Sequence, residues 1–158
     1  MLRGNAKGLV LGVALLSIAG AATARPIDGE ALRRTKAPAE SRKDADGYLA
    51  EAKAEASYQA GQASAFTVGL TPKAGYHIDA QFPMKWKADD APEGVSFTKP
   101  ILKREDGTFS EKEGSFKVGF TAAKPGKYTL GGTLSLSVCN EKNCVMEKVP
   151  LDVQVTVR

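Results

Sequence analysis

The sequence predicts an all-β protein, an antiparallel immunoglobulin-like β-sandwich that follows a flexible N-terminal tail. Three observations predict this fold: apolar and polar residues alternate in several short segments after residue 56, turn-forming residues separate these segments, and no long segment has helical periodicity. Strict alternation places one face of a strand in the core and the other in water. Several such strands joined by turns are typical of a sandwich.

The N-terminal segment has the three parts of a secretory signal peptide. Arg3 and Lys7 form a basic start, the apolar run L9-V-L-G-V-A-L-L-S-I-A19 follows, and the small residues A22-T-A24 complete a cleavage pattern. A membrane span would need about 20 apolar residues, and this run is much shorter. We therefore expect residues 1–24 to be a cleaved leader, the protein to be periplasmic, and no membrane span to remain after the leader is removed.

Residues 25–55 have the composition of a flexible tail or tether. The part from 25 to 47 is charged, rich in Ala and Pro, and nearly free of bulky apolar residues. Such a segment cannot bury enough surface to offset the entropy cost of ordering it. Residues 48–57 contain good helix formers and are predicted to form a short helix, although they lack a strong apolar stripe. The folded domain is therefore expected to span residues 56–158.

The predicted strands of this domain follow from alternating apolar residues. In chain order these residues are Phe66, Val68 and Leu70; Met84 and Trp86; Val95 and Phe97; Phe116, Val118 and Phe120; Tyr128 and Leu130; Leu134, Leu136 and Val138; and Val149, Leu151, Val153, Val155 and Val157. Turns rich in Pro and Gly are predicted between them at T71-P-K-A-G75, D89-D-A-P-E-G94 and K124-P-G-K127. The last strand has the clearest alternation, so its register should be well specified.

Composition and charge argue against several classes of function. The formal net charge is +4 and no Lys/Arg cluster is interleaved with aromatic residues, so nucleic-acid binding has no support. With a single histidine, His77, and no G-x-S-x-G motif, a serine hydrolase is not expected. A chain of this length can bury a core without needing a disulfide. Because no other chemical motif is visible and folding does not need a disulfide, we expect the function to depend on the only two cysteines, Cys139 and Cys144. No cofactor is expected.

Both cysteines lie in one predicted hairpin, S137-V-C-N-E-K-N-C-V-M-E147. Val138 should face the core, so the neighbouring Cys139 faces the other way, and the alternation of the last strand places Cys144 on that same side. The loop N140-E-K-N143 has a common hairpin length, and residues opposite each other across it lie about 4.5–5.5 Å apart at Cα. A disulfide is expected to form here with some strain, and a strained, exposed disulfide is more readily reduced than a buried one.

The residues themselves leave three roles open for the two cysteines: a structural disulfide, a redox pair, or part of a metal site. An exported protein meets an oxidising compartment, where a disulfide can persist. Lys142 and Lys148 add positive potential beside the hairpin, and Glu141 and Glu147 oppose it. The spacing of the cysteines alone does not choose among the three roles.

Soft metal ligands also lie near the predicted hairpin. Cys139, Cys144 and Met146, with either Met84 or His77, would offer thiolate and thioether ligands of the kind that select Cu(I). Met84 alternates with aromatic residues in a predicted strand, however, which favours core packing. His77 is predicted to be a turn residue that makes local hydrogen bonds. A structural zinc site needs four ligands in recognisable spacing, and two cysteines with one distant histidine do not provide them.

Four short signatures occur in a defined order: G75-Y-H-I-D-A-Q-F-P-M84, then A91-P-E-G-V95, then the stretch from 126 to 144 with both cysteines, then the alternating valines. In order and spacing they resemble the N-terminal periplasmic domains of DsbD, the thiol:disulfide interchange protein, over roughly residues 56–158. The resemblance implies an immunoglobulin-like sandwich. It also implies a cysteine pair that passes electrons between a thioredoxin-like protein and other exported proteins.

By this resemblance Cys139 and Cys144 fall on the redox pair of the family, with Cys144 as the attacking thiolate and Cys139 as the resolving partner. The implied chemistry is thiol–disulfide exchange through a mixed disulfide. The alternatives are a non-catalytic binding module with a structural disulfide, and a periplasmic Cu(I) carrier.

The sequence departs from the family pattern in three respects. It contains neither the membrane domain nor the thioredoxin-like domain of the full interchange protein. Asp79 stands where the turn motif usually has Asn. The aromatic loop that caps the cysteines in the family has no clear counterpart in residues 96–109, where Phe97 and Phe109 are the candidate shields.

Overall fold

The computed structural model describes residues 41–158, which form two antiparallel β-sheets packed face to face. The strands are β1 (Arg42–Asp44), β2 (Tyr48–Lys53), β3 (Ala63–Pro72), β4 (His77–Ile78), β5 (Lys85–Ala88), β6 (Val95–Phe97), β7 (Ile101–Lys103), β8 (Gly107–Phe109), β9 (Gly114–Ala122), β10 (Gly126–Cys139) and β11 (Cys144–Val157). A 3₁₀ turn at Arg104–Asp106 joins β7 to β8. The predicted all-β class and antiparallel sandwich are confirmed.

One sheet has the order β1-β2-β3-β9-β6, with β8 also pairing with β9, and we call it the β9 sheet. The other has the order β11-β10-β5-β7, with β4 also pairing with β10, and we call it the β10 sheet. The β10–β11 hairpin is in register from Gly126 opposite Val157 to Cys139 opposite Cys144. This long ladder carries the cysteines to one end of the sandwich. There β4 lies beside β10 on the side away from β11.

The core forms between the two sheets from the residues whose alternation predicted strands. Phe66 on β3 is 2% exposed and Trp86 on β5 is fully buried, and their rings meet edge to face with centroids 6.3 Å apart. Met84 is 1% exposed, so its predicted role as a core residue is confirmed. Val95 and Phe97 are only half-buried, because β6 lies at the edge of the β9 sheet.

The segment 48–57 corrects two predictions. Residues Tyr48–Lys53 form strand β2, paired with β3, and not a helix. Tyr48, Ala50 and Ala52 alternate inward and are at most 6% exposed, so the folded domain begins well before residue 56. Small Ala side chains fill the space between the sheets there, and their weak apolar signal did not indicate a strand.

The remaining N-terminal predictions lie outside the described residues. These are the leader at 1–24 and the part of the tail from 25 to 40. Within residues 41–158, no helix is long and apolar enough to cross a membrane.

Candidate redox site at the cysteine hairpin

A disulfide joins the last residue of β10, Cys139, to the first residue of β11, Cys144. The two residues are directly opposite in register and their Cα atoms are 4.0 Å apart, closer than the sequence predicted. The Asn140 N–H donates to the Asn143 carbonyl at 2.8 Å. Because hydrogen-bonded and non-hydrogen-bonded pairs alternate in an antiparallel ladder, the cysteines form a non-hydrogen-bonded pair, where side chains approach most closely.

The loop is closed by a side chain as well as by the backbone. Asn140 Oδ1 accepts hydrogen bonds from the N–H groups of Lys142 and Asn143, at 2.9 and 2.8 Å. This local pattern is the Asx turn for which Asn is favoured. It holds the hairpin tip independently of the disulfide.

The two sulfurs differ in exposure. The register puts Ser137 opposite Met146 and Cys139 opposite Cys144, so both cysteines lie on the non-core face, as the sequence predicted. Cys144 is exposed at the start of the edge strand β11, whereas Cys139 is only 7% exposed. Cys139 is buried because β10 lies between β11 and β4. The expectation that the whole disulfide is exposed is therefore corrected for Cys139.

Strand β4 brings His77 next to the disulfide. His77 lies directly opposite Cys139 in the β4–β10 register, and Ile78 lies opposite Val138. Cys144, Cys139 and His77 therefore form a row across three neighbouring strands on one face of the β10 sheet. His77 is exposed and belongs to a strand, so its predicted place in a turn is corrected.

Asp79 is the site residue that the sequence reasoning missed. One of its carboxylate oxygens and the two cysteine sulfurs all lie within 4.8 Å of one another. The carboxylate accepts hydrogen bonds from the Gln81 N–H at 2.9 Å and from the Ser137 hydroxyl at 3.4 Å. The Asp79 N–H donates to the Ser137 carbonyl at 3.1 Å. The position of Asp79 two residues after His77 was the available signal, since alternation puts both on one face.

Arg104 supports the loop that carries Asp79. Its Nη1 donates to the carbonyls of Asp79 and Phe82, at 3.1 and 3.4 Å. Its guanidinium carbon lies 5.3 Å from the centre of the Phe109 ring, in a cation–π arrangement. Arg104 follows β7, the edge strand of the β10 sheet, and its hydrogen bonds hold the loop from Asp79 to Phe82 in place.

The two candidate shields lie on strands of the β9 sheet. Phe97 lies on β6 opposite Phe120, and the Phe109 ring lies edge to face with Phe116, at a centroid distance of 4.9 Å. Within residues 41–158, no side chain covers the exposed Cys144.

Glu147 is close to Cys144 along the chain, which suggested that its carboxylate lies beside the sulfurs. It does not face them. It lies opposite Leu136, on the core side of the hairpin, and accepts a hydrogen bond from the hydroxyl of Tyr48 on the other sheet. Burial, together with that hydrogen bond, raises the pKa of Tyr48. The carboxylate beside the sulfurs is thus that of Asp79, not that of Glu147.

The chain matches no protein-family model, and no curated protein matches it. Among solved structures it is similar to AggA, the major subunit of aggregative adherence fimbriae type I of Escherichia coli, with 12% sequence identity and a TM-score of 0.35. The match covers 77% of this chain and 100% of that one. A similarity at this level supports no inference about function.

Proposed function

We propose that the protein is an exported thiol–disulfide exchange module that resembles the N-terminal domains of DsbD and uses Cys139 and Cys144 as its redox pair. It passes electrons between a thioredoxin-like protein and other periplasmic proteins, and needs no cofactor. The observation that carries the proposal is the unequal exposure of the two bonded sulfurs. Exchange needs one sulfur that a partner can reach and a second sulfur beside it that can leave.

The difference in exposure determines which of the two sulfurs a partner attacks. A partner thiolate attacks Cys144 Sγ, the disulfide breaks, and the electron pair leaves on Cys139 Sγ, which takes a proton from solvent. A second partner thiol then attacks the mixed disulfide and releases Cys144. The partner is oxidised to a disulfide, and the pair gains two electrons and two protons.

The reduced pair acts on a recipient by the reverse sequence. The Cys144 thiolate attacks a recipient disulfide and releases one recipient thiolate. Cys139 then attacks the Cys144 sulfur, which restores the intramolecular disulfide and releases the second recipient sulfur. Because Cys139 is directly opposite Cys144, the resolving step needs no movement of a second element.

The place of the disulfide in the fold also supports this role over that of a structural disulfide. The bond joins residues only five positions apart, at the end of a hairpin that is already paired along its whole length. A short closed loop removes little entropy from the unfolded chain. Opening the bond should therefore cost about 2 kcal/mol, less than for a disulfide that closes a long loop, which favours a pair that opens and closes.

The deciding measurement is the reduction potential of the pair in residues 25–158, obtained by equilibration with thiol buffers and by counting alkylated cysteines by mass. We expect a value above about −250 mV, near those of exchange proteins. A value below about −300 mV, in the range of structural disulfides, overturns the proposal and leaves a binding module with a structural disulfide.

A trapping experiment tests the assigned roles. Cys139→Ala leaves Cys144 able to attack a partner but removes the resolving thiol, so mixed disulfides with a thioredoxin-like protein should accumulate. Cys144→Ala is the matched control and should trap far less, because the remaining Cys139 is 7% exposed. Equal trapping by both variants contradicts the assigned roles.

A further inference from the structure

We propose that the same site, once reduced, binds a single Zn²⁺ ion through Cys139, Cys144, Asp79 and His77. The inference rests on the proposed function in one respect, since the disulfide must be reducible in the folded protein. It goes beyond that function because the ligand is a metal ion and two of the four donors have no part in the exchange steps.

Three of the donors are already close together. The Asp79 carboxylate oxygen and both sulfurs lie within 4.8 Å of one another. In a tetrahedral zinc site, with Zn–S near 2.3 Å and Zn–O near 2.1 Å, such donors are about 3.6–3.8 Å apart. Once the disulfide opens, the two sulfurs need to separate only to about that distance. We expect rotation of the two cysteine side chains to supply this separation while β10 and β11 stay paired.

The fourth donor comes from β4. His77 lies directly opposite Cys139, and side chains at opposite positions have Cβ atoms about 4.5–5.5 Å apart. The side chain is exposed, so rotation of the ring can bring a nitrogen towards the two sulfurs. The sequence argued against zinc because the histidine is distant along the chain, and the β4–β10 pairing removes that objection.

The carboxylate is held in the manner of a metal ligand. Carboxylates that bind metals are usually hydrogen-bonded by outer groups that fix their orientation. Asp79 has two such partners, the Gln81 N–H and the Ser137 hydroxyl, and Ser137 is itself fully buried. Arg104 holds the backbone of the same loop.

The donor set selects zinc over other cations. Two thiolates, an imidazole and a carboxylate suit Zn²⁺, whereas Ca²⁺ and Mg²⁺ require oxygen ligands. Cu(I) would use the two thiolates with a thioether. Met84 cannot supply one, being 1% exposed in the core, but Met146 is 69% exposed on the same face as Cys144. Met146 therefore separates the two metals experimentally.

Zinc binding would be linked to the redox state. The ion takes both thiolates, so it binds the reduced protein and not the disulfide form, and it protects the pair from oxidation. Because zinc stabilises the reduced form, each tenfold rise of free zinc above its dissociation constant raises the reduction potential by about 30 mV.

The test uses residues 25–158, reduced with dithiothreitol, freed of reductant without oxygen, and checked for two alkylatable thiols per chain. Zn²⁺ is titrated against a chromophoric chelator, and Co²⁺ is added separately to detect thiolate-to-cobalt charge transfer. We expect one zinc per reduced chain and none for the disulfide form. Asp79→Asn and His77→Ala should each weaken binding at least about tenfold, since even outer partners of a metal contribute that much.

Two variants serve as controls, and both should leave zinc affinity unchanged. Glu141→Gln removes an exposed carboxylate from the hairpin tip without touching the donor set, and Met146→Leu removes the thioether. Thermal unfolding of each variant shows whether it is folded. A variant that does not fold is replaced by Asp79→Ser or His77→Gln, for which weakened binding is again expected.

The outcomes separate this inference from the proposed function. Two countable thiols without zinc binding overturn the inference and leave exchange intact. The ligand set is wrong if substitution of neither Asp79 nor His77 weakens zinc binding. It is also wrong if the reduced protein binds Cu(I) in place of zinc and Met146→Leu weakens that binding. A disulfide that resists reduction in the folded protein overturns both, and zinc binding with no partner trapping overturns exchange alone.

Discussion

Removal of the Cys139–Cys144 disulfide should cost the fold little. The perturbation is the double variant Cys139→Ala/Cys144→Ala, with the chemically reduced wild type as a second form. The bond closes a loop with a sequence separation of 5. The chain-entropy relation assigns a loop of that size about 2 kcal/mol at 25 °C. The paired strands of the hairpin extend from Cys139 back to Gly126, so opening the tip leaves the rest of the ladder in place.

The assay is urea unfolding followed by the fluorescence of Trp86. This is the only tryptophan and it is fully buried between the sheets, opposite Leu134 of β10, so it reports on the core and not on the tip of the hairpin. We expect both forms to unfold in one transition, with a free energy of unfolding lower by at most about 2 kcal/mol and an unchanged m-value. A loss above about 4 kcal/mol, or unfolding on reduction alone, would refute the reasoning and show that the disulfide is structural.

Two further predictions concern the body of the sandwich. Tyr48→Phe should lower the free energy of unfolding by about 1 kcal/mol, because Glu147 loses its hydrogen-bond donor while half-buried. The raised pKa of Tyr48 adds stability that is fully present below about pH 10 and is lost as the pH rises above that value. In urea unfolding, the free energy of unfolding should therefore fall more steeply with alkaline pH for the wild type than for Tyr48→Phe. Equal slopes would show that this phenol does not cause the decline. Gly132→Ala should destabilise by about 1–3 kcal/mol, since a Cβ there would lie 2.3 Å from the Trp86 ring. Its matched control Gly69→Ala, where the nearest atom is 3.9 Å away, should be close to neutral, and equal losses by thermal unfolding would contradict the packing argument.

Local patterns were sufficient to predict most of the strands and the face on which each cysteine lies. Bulky residues that alternate with polar ones, as at Phe66–Leu70 and Val149–Val157, predict the period of a strand without knowledge of its neighbours. The same alternation of odd and even positions predicted that Cys139 and Cys144 lie opposite each other on the non-core face, because a hairpin pairs residues that are close along the chain. Strand β2 escaped prediction because Ala50 and Ala52 are too small to mark a buried face by composition.

The surroundings of the disulfide were decided by tertiary structure alone. The contact of Asp79 with Ser137 joins residues 58 positions apart, and the register of β4 against β10 sets which side chain lies opposite Cys139. A shift of that register by one residue would turn His77 and Asp79 to the core face, since side chains alternate with a period of two. The sequence by itself determined that two cysteines share one hairpin. Pairing between strands distant along the chain buries one sulfur, leaves the other exposed, and brings a carboxylate and an imidazole beside them.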